Sequence, residues 1–326
     1  MRDPGVRRDA VDGDVLTVET DGRGPRRLNP LNDVMFACLF DDVRRTGSSM
    51  KEFLSALLTS EGEPPIAEVI SMKSEYSVSP EGPGQKSGRL DVRVKDSLGA
   101  IYDVEVQNST DYMNERGLFY GSRLAARAFP PGKDYSRIPR VRMVDICDFR
   151  VREGSEEIVE PVQLVYKKGP REVSTDAFAI YHIQLPEFRR RYRTLESVGD
   201  DALLAWLYLF DRGYKSEEET EMLAQRSEGL RDFAERYGSA IEDPLVKSRY
   251  EWLEDARHEE ASRLAFAERR GEERGLKTGE ERGVEKNNLE VAGRLKGMGL
   301  SYDVIAAACG LTHEQIDALE PEEALR

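Results

Sequence analysis

Strict alternation of apolar and polar positions marks residues 89 to 107. In RLDVRVK, Leu90, Val92 and Val94 alternate with Asp91, Arg93 and Lys95; in IYDVEVQ, Tyr102, Val104 and Val106 alternate with Asp103, Glu105 and Gln107. Successive side chains of a strand point to opposite faces, so each run predicts a strand with one apolar face. The turn residues of DSLGA between them predict a hairpin. If the strands pair around Leu98, Asp91 falls opposite Glu105 on one face, with Gln107 a diagonal step away.

Helical spacing takes over on either side. Leu31, Val34, Met35, Cys38 and Leu39 follow Asn29 and Pro30, which suit the cap and first turn of a helix. A second helical run, SMKEFLSALLTS, ends at the Glu-Gly-Glu-Pro-Pro of 61–65, and IAEVISMKSEYSV then predicts a strand leading to the loop SPEGPGQKSG. After the hairpin, Met113, Leu118, Tyr120, Leu124 and Ala128 predict a helix, and IPRVRMVDICDFRV a further strand. PVQLVYKK and AFAIYHIQL predict two more strands; the remainder is helical, including DALLAWLYLF and a charged segment from about 243 to 290. This order describes an α/β protein whose sheet is covered on at least one side. We divide it into a lead-in over 1–27, a compact domain over 28–190 and a helical extension over 191–326.

Two features of the extension need a reason. Gly271, Gly275, Gly279 and Gly283 recur every four residues in a charged context, and each costs a helix up to about 1 kcal/mol relative to alanine. Close approach of a partner helix would explain them, as would a low-complexity linker, and the linker is the favoured reading. The end, GLSYDVIAAACGLTHEQIDALE, has a helix-turn-helix outline, but a second helix carrying Glu314, Asp317 and Glu320 is ill suited to phosphates. It reads as a packing or self-association element.

Charge and composition narrow the function. The formal net charge of -14 over 326 residues argues against an extended nucleic-acid footprint. Its distribution changes that: residues 1–27 balance six basic against six acidic groups, and residues 28–150 sixteen against eighteen, so most of the excess lies later. A basic rim in the first half, from Arg89, Arg93, Lys95, Arg116, Arg123 and Arg127, is therefore compatible with the total. No apolar run is long enough for a membrane helix, and charges fill the N-terminus, so the expected location is cytoplasmic. Cys38, Cys147 and Cys309 are far apart without metal-ligand spacing and read as ordinary buried thiols. His182, His258 and His313 have no partner pattern and read as surface or packing residues, and no glycine-rich phosphate loop suggests a nucleotide cofactor.

The hairpin is left as the candidate site, with two readings. Asp91 and Glu105 could share a hard cation such as Mg²⁺, which takes one or two carboxylates plus waters and substrate phosphate, and the Val106 carbonyl could add a third oxygen. Alternatively the strands face solvent and Arg89, Arg93 and Lys95 balance the acids.

Asp91 on one strand and Glu105-Val106-Gln107 on the next resemble the PD-(D/E)XK nuclease signature, in the variant with glutamine for the usual lysine. LNDVMFACLF with Asp33 and Phe36, Arg116 and Tyr120 in the following helix, Gly132, Tyr135, PRVRMVDICDF, Trp206 and the glycine-punctuated tail sharpen this to the PD-(D/E)XK nuclease family transposases, the Rpn-like recombination-promoting nucleases. Such proteins often carry lysines where this chain has Leu31 and Ala37. The resemblance implies a restriction-endonuclease-like core, a mixed central sheet flanked by helices, with a helical C-terminal extension. It implies a Mg²⁺- or Mn²⁺-dependent endonuclease acting on DNA, with Asp91 and Glu105 as metal ligands, Gln107 positioning the attacking water, and Asp33, Arg116 and Tyr120 as accessory residues. The alternative is a catalytically weak or inactive descendant that binds DNA or protein partners, and cleavage of RNA is a third outcome. A duplex cut needs two active sites or two visits, and a homodimer is one way to supply them.

Overall fold

The computed structural model describes residues 27–40, 43–74, 91–107, 113–170 and 172–319. The loop SPEGPGQKSG and Arg89 lie outside the described residues, as does the side chain of Asp91, whose backbone is described. The chain forms two compact units, residues 1–252 and 253–326.

The first unit begins with α1 (Asp33–Leu39) and α2 (Val43–Ser60), followed by β1 (Val69–Ser74), β2 (Asp91–Asp96), β3 (Ile101–Gln107), α3 (Met113–Ala128), β4 (Val141–Cys147), β5 (Val159–Gln163) and β6 (Phe178–Gln184). The helices α4 (Leu185–Arg191), α5 (Leu195–Val198), α6 (Ala202–Asp211), α7 (Glu217–Ala224) and α8 (Glu228–Glu242) complete it before α9 (Pro244–Gly297) begins. The six strands make one mixed sheet in the order β1-β2-β3-β4-β6-β5. β3, β4 and β6 run parallel, and the other neighbours are antiparallel.

The hairpin forms in the expected register. Asp91 pairs with Glu105, Val92 with Val104 and Arg93 with Asp103. The solvent-facing version of the hairpin is not met, because six of the seven residues of β3 are buried and Val106 is half-buried. Asp103, whose place in the alternation suits either a surface charge or one behind the metal ligands, is not at the surface: it is 1% exposed and stands 3.3 Å from Arg93 Nε.

The two sheet faces carry different cores. Tyr102, Val104, Val144, Ile146, Tyr181 and Ile183 face a large cluster with α1, α2, α6 and α8. Its centre is aromatic: Trp206 lies 6.1 Å from Phe53, 5.6 Å from Phe210 and 5.8 Å from Phe233, centroid to centroid. The helices after residue 191, read from sequence as an extension, thus belong to the core of this unit up to α8. The opposite face is smaller, with Ile101, Val141, Met143 and Ile180 under Leu124 of α3. Two glycines let α3 lie close to the sheet. A Cβ on Gly117 would stand 2.8 Å from Ile180 Cδ1, and one on Gly121 2.2 Å from Phe178 Cε2.

In the second unit, the segment with Gly271, Gly275, Gly279 and Gly283 is not a linker but an uninterrupted part of the 54-residue helix α9. A Cβ at any of the four would meet nothing within 4 Å, so no close contact within the chain requires them. Good helix formers between them, and pairs such as Lys286–Glu290 at i, i+4, offset their cost. The last turns of this helix join α10 (Tyr302–Cys309) and α11 (His313–Asp317) in a small core of Ala292, Ile305, Cys309 and Ile316. That packing matches the reading of the helix-turn-helix as a packing element. Among the described residues, no helix is long and apolar enough to cross a membrane.

Candidate active site

The parallel strands end at one edge of the sheet, the usual position for ligands in α/β folds. There, one row of residues crosses five strands in register: Asp91 on β2 pairs with Glu105 on β3, Glu105 with Asp145 on β4, Asp145 with His182 on β6, and His182 with Glu160 on β5. Residues paired in register share a face, so the described ionisable groups from Glu105 to Glu160 line the α3 side, where Arg116 and Asn114 reach Glu105 and His182. Toward the other end, the same face is apolar, with Met143 paired to Ile180 and Val141 to Phe178. α3 covers the apolar half and brings its first turn over the polar row.

The row's centre is closed to solvent. Glu105 and Gln107 are each 6% exposed, Asp145 3% and His182 1%. The Gln107 amide donates a hydrogen bond to Glu105 Oε2, and Arg116 Nη2 of α3 lies 3.7 Å from the same oxygen. Gln107 is therefore beside Glu105, as its two-residue spacing predicted, and Arg116 reaches the carboxylate from the helix above. Arg116 Nε is buried and has no hydrogen-bond partner among the described residues. Its guanidinium thus keeps a donor for something else.

Asp145 and His182 had no signal of their own in the sequence. His182 Nδ1 is 3.0 Å from Asp145 Oδ2, and Nε2 is 3.2 Å from Oδ1 of Asn114, in the first turn of α3. The reading of His182 as an isolated surface or packing residue misses this pairing. Cys147, two residues beyond Asp145, is a buried thiol; burial pushes its pKa up and the Asp145 charge adds to the shift. A thiol held protonated is a poor nucleophile.

Asp33 and Tyr120 fall farther from the row's centre. Asp33 sits in the first turn of α1, where Asn32 caps the helix, and α1 packs on the opposite sheet face. Tyr120 is half-buried one turn after Arg116, against the small cluster.

The donor set suits a hard cation. Ile101 N–H donates to the Arg140 carbonyl, and the Gln107 carbonyl accepts from Asp148 N–H. The odd-numbered residues of β3 therefore direct their backbone groups to β4, and Val106 turns its carbonyl toward β2, where Asp91 lies. Two carboxylates and one carbonyl could hold Mg²⁺ or Mn²⁺ while leaving positions for water and phosphate. Among the described residues no three His, Cys, Asp or Glu side chains form a closed metal cage. An open, two-carboxylate site is the arrangement that Mg²⁺ ordinarily accepts.

A family model described as PD-(D/E)XK nuclease family transposase matches residues 30–267. The chain belongs to this family. The match runs from the start of α1 into α9 and includes the whole sheet. No protein of curated function and no solved structure matches the chain. Membership points to a nuclease- or transposase-related function, and PD-(D/E)XK nucleases typically use divalent metals.

Proposed function

We propose that the protein is a Mg²⁺-dependent endonuclease that hydrolyses phosphodiester bonds in DNA, at the row centred on Glu105. The observation that carries this reading is the register of Asp91 with Glu105, with Gln107 on the same face and hydrogen-bonded to Glu105. Family membership supplies the reaction class. A bound divalent ion would neutralise charge on the scissile phosphate and make a bound water more acidic.

The chain's own residues do the rest. Gln107 uses its amide N–H to hold the Glu105 carboxylate and leaves its carbonyl to accept from the attacking water. It orients that water but cannot take its proton, so the glutamine variant relies on positioning. Arg116 spans Glu105 and, through Nε, the place of a phosphate oxygen, where a guanidinium supplies charge and directed donors. Asp33 and Tyr120 act as accessory residues at the margin. A homodimer would supply two such sites for a duplex cut.

One observation favours a second reading. The absence of a proton-accepting lysine at Gln107 suits a descendant that binds DNA and cuts it weakly or not at all. The two readings part in a plasmid assay with Mg²⁺. The endonuclease nicks supercoiled DNA, and Asp91→Ala and Glu105→Ala each lower the rate by at least about a hundredfold, several kcal/mol of transition-state stabilisation. Variants that cut as fast as the parent would remove the site assignment. A structured RNA in the same assay separates DNA from RNA cleavage.

A further inference from the structure

The solvent face of α3 and the turn after it carry a charge balance opposite to that of the whole chain. Between residues 113 and 140, six basic side chains (Arg116, Arg123, Arg127, Lys133, Arg137 and Arg140) stand against Glu115 and Asp134, in a chain of formal net charge -14. All but Arg116 are exposed. Arg140 pairs with Asp176 at 2.8 Å. Arg123, Arg127, Lys133 and Arg137 have no carboxylate in ion-pair range among the described residues.

Exposed rings alternate with these charges. Arg123 lies over the Phe119 ring, one turn earlier, with its guanidinium carbon 5.5 Å from the centroid. Phe119 is still 55% exposed. Past the end of the helix, Tyr135 stacks on Phe129 at 5.9 Å and 18°, and is itself 81% exposed. The core does not use these rings, because Gly117, Gly121 and Leu124 form the buried side of α3. Phe119, Arg123 and Arg127, four residues apart, make a stripe along the outer side. From Arg116 to Arg127 it extends roughly 16 Å, at about 1.5 Å per residue.

We propose that this face binds single-stranded DNA and leads it to the row at Glu105. The proposal rests on the nuclease reading above and adds the form of the substrate. Phosphates follow Arg123, Arg127, Lys133 and Arg137, while unpaired bases stack on Phe119 and Tyr135, the combination found on single-strand binding surfaces. A ring can stack only on a base whose face is open, and a duplex hides those faces inside its stack. The arginines serve either form; the aromatic rings select the unpaired one. Arg116 ends the stripe at Glu105 and hands the backbone to the site.

The test measures binding by fluorescence anisotropy, using the full-length protein in EDTA so that cleavage cannot intervene. The probes are oligothymidine of about 15 nucleotides, a duplex of equal length and the matching oligouridine. Oligothymidine is expected to bind more tightly than the duplex. Phe119→Ala and Tyr135→Ala each weaken oligothymidine binding about tenfold and leave duplex binding unchanged. Arg123→Gln and Arg127→Gln weaken both probes and each lowers the slope of log K against log salt by about 0.7 for the single strand. The substituted side chains are exposed, so the fold survives the changes. Aromatic variants that bind like the parent, a duplex bound as tightly as the single strand, or tighter binding of oligouridine would each overturn the proposal. A parent that binds as described yet never cleaves DNA refutes the nuclease reading alone. One that cleaves while the aromatic variants bind normally refutes the surface alone.

Discussion

At the start of β4, Arg142 is surrounded by acceptors, whereas near its end Asp145 belongs to a row of charges with capacity left over. Arg142 is 1% exposed, donates to Glu63 from Nε at 3.1 Å and from Nη2 at 2.9 Å, and reaches the Asp176 carbonyl at 2.9 Å and its carboxylate besides. The Tyr181 hydroxyl donates to the same Glu63 carboxylate. Burial opposes the charge on Arg142, but Glu63 and then Asp176 outweigh it and raise the guanidinium pKa. Burial, with the nearby Glu63, also pushes the Tyr181 phenol up, which keeps it a donor. Every strong group at this end is spoken for, the condition under which a buried ion network specifies a fold.

The other end is built from similar groups to a different plan. Glu105 is held by Gln107 and Arg116, yet Arg116 Nε has no hydrogen-bond partner among the described residues, and Asp91 adds a second acid directly across the hairpin. Like charges at directly opposed strand positions repel, so on the proposed reading a cation, or a ligand that brings one, would stabilise this end. On the proposed reading, saturation at one end and the spare Arg116 donor at the other separate a structural ion cluster from a site for chemistry.

That contrast can be broken from either side. The largest effect is expected for Arg142→Ala, which empties a buried position and leaves the part-buried Glu63 without its main partner. It should cost about 3–5 kcal/mol of stability in urea unfolding, while the remaining folded protein binds Mg²⁺ like the parent. A loss of metal binding with unchanged stability would reverse the assignment of the two ends. A smaller effect is expected for Arg116→Gln, whose side chain is 29% exposed. It should slow plasmid cleavage roughly tenfold, or about 1.4 kcal/mol, and change the urea midpoint little. A large fall in the midpoint with normal cleavage would place Arg116 among the structural arginines.

The parts of this picture that were legible in the sequence are the local ones. Alternation and a short turn fix which residues of β2 and β3 share a face, so Asp91, Glu105 and Gln107 could be placed together from their spacing. Asp145 and His182 lie in strands reached through crossovers, and parallel register is set by helix packing and not by a turn. VDICDF and YHIQL therefore looked like ordinary buried strands. The same reason hid the Glu63–Arg142–Asp176 network, whose members come from a loop before β1, from β4 and from a loop before β6. The alternation left Asp103 open between the surface and the surroundings of the site, because a charge in an alternating strand cannot be placed until the helix that covers it is known. The glycines of α9 misled: their helix penalty is small against the propensity of the Glu, Arg, Lys and Leu between them. On α3, the arginines were visible as a basic rim, but the exposure of Phe119 became apparent only once Gly117 and Gly121 had fixed which side meets the sheet.

The central claim is that Asp91 and Glu105 together hold a divalent cation. Calorimetric titration of the full-length protein with Mn²⁺ tests it most directly, with Asp91→Ala and Glu105→Ala alongside. The account predicts a binding heat in the parent that disappears in both variants while their unfolding midpoints stay near the parent's. Equal heats in all three proteins, or none in the parent, would contradict it.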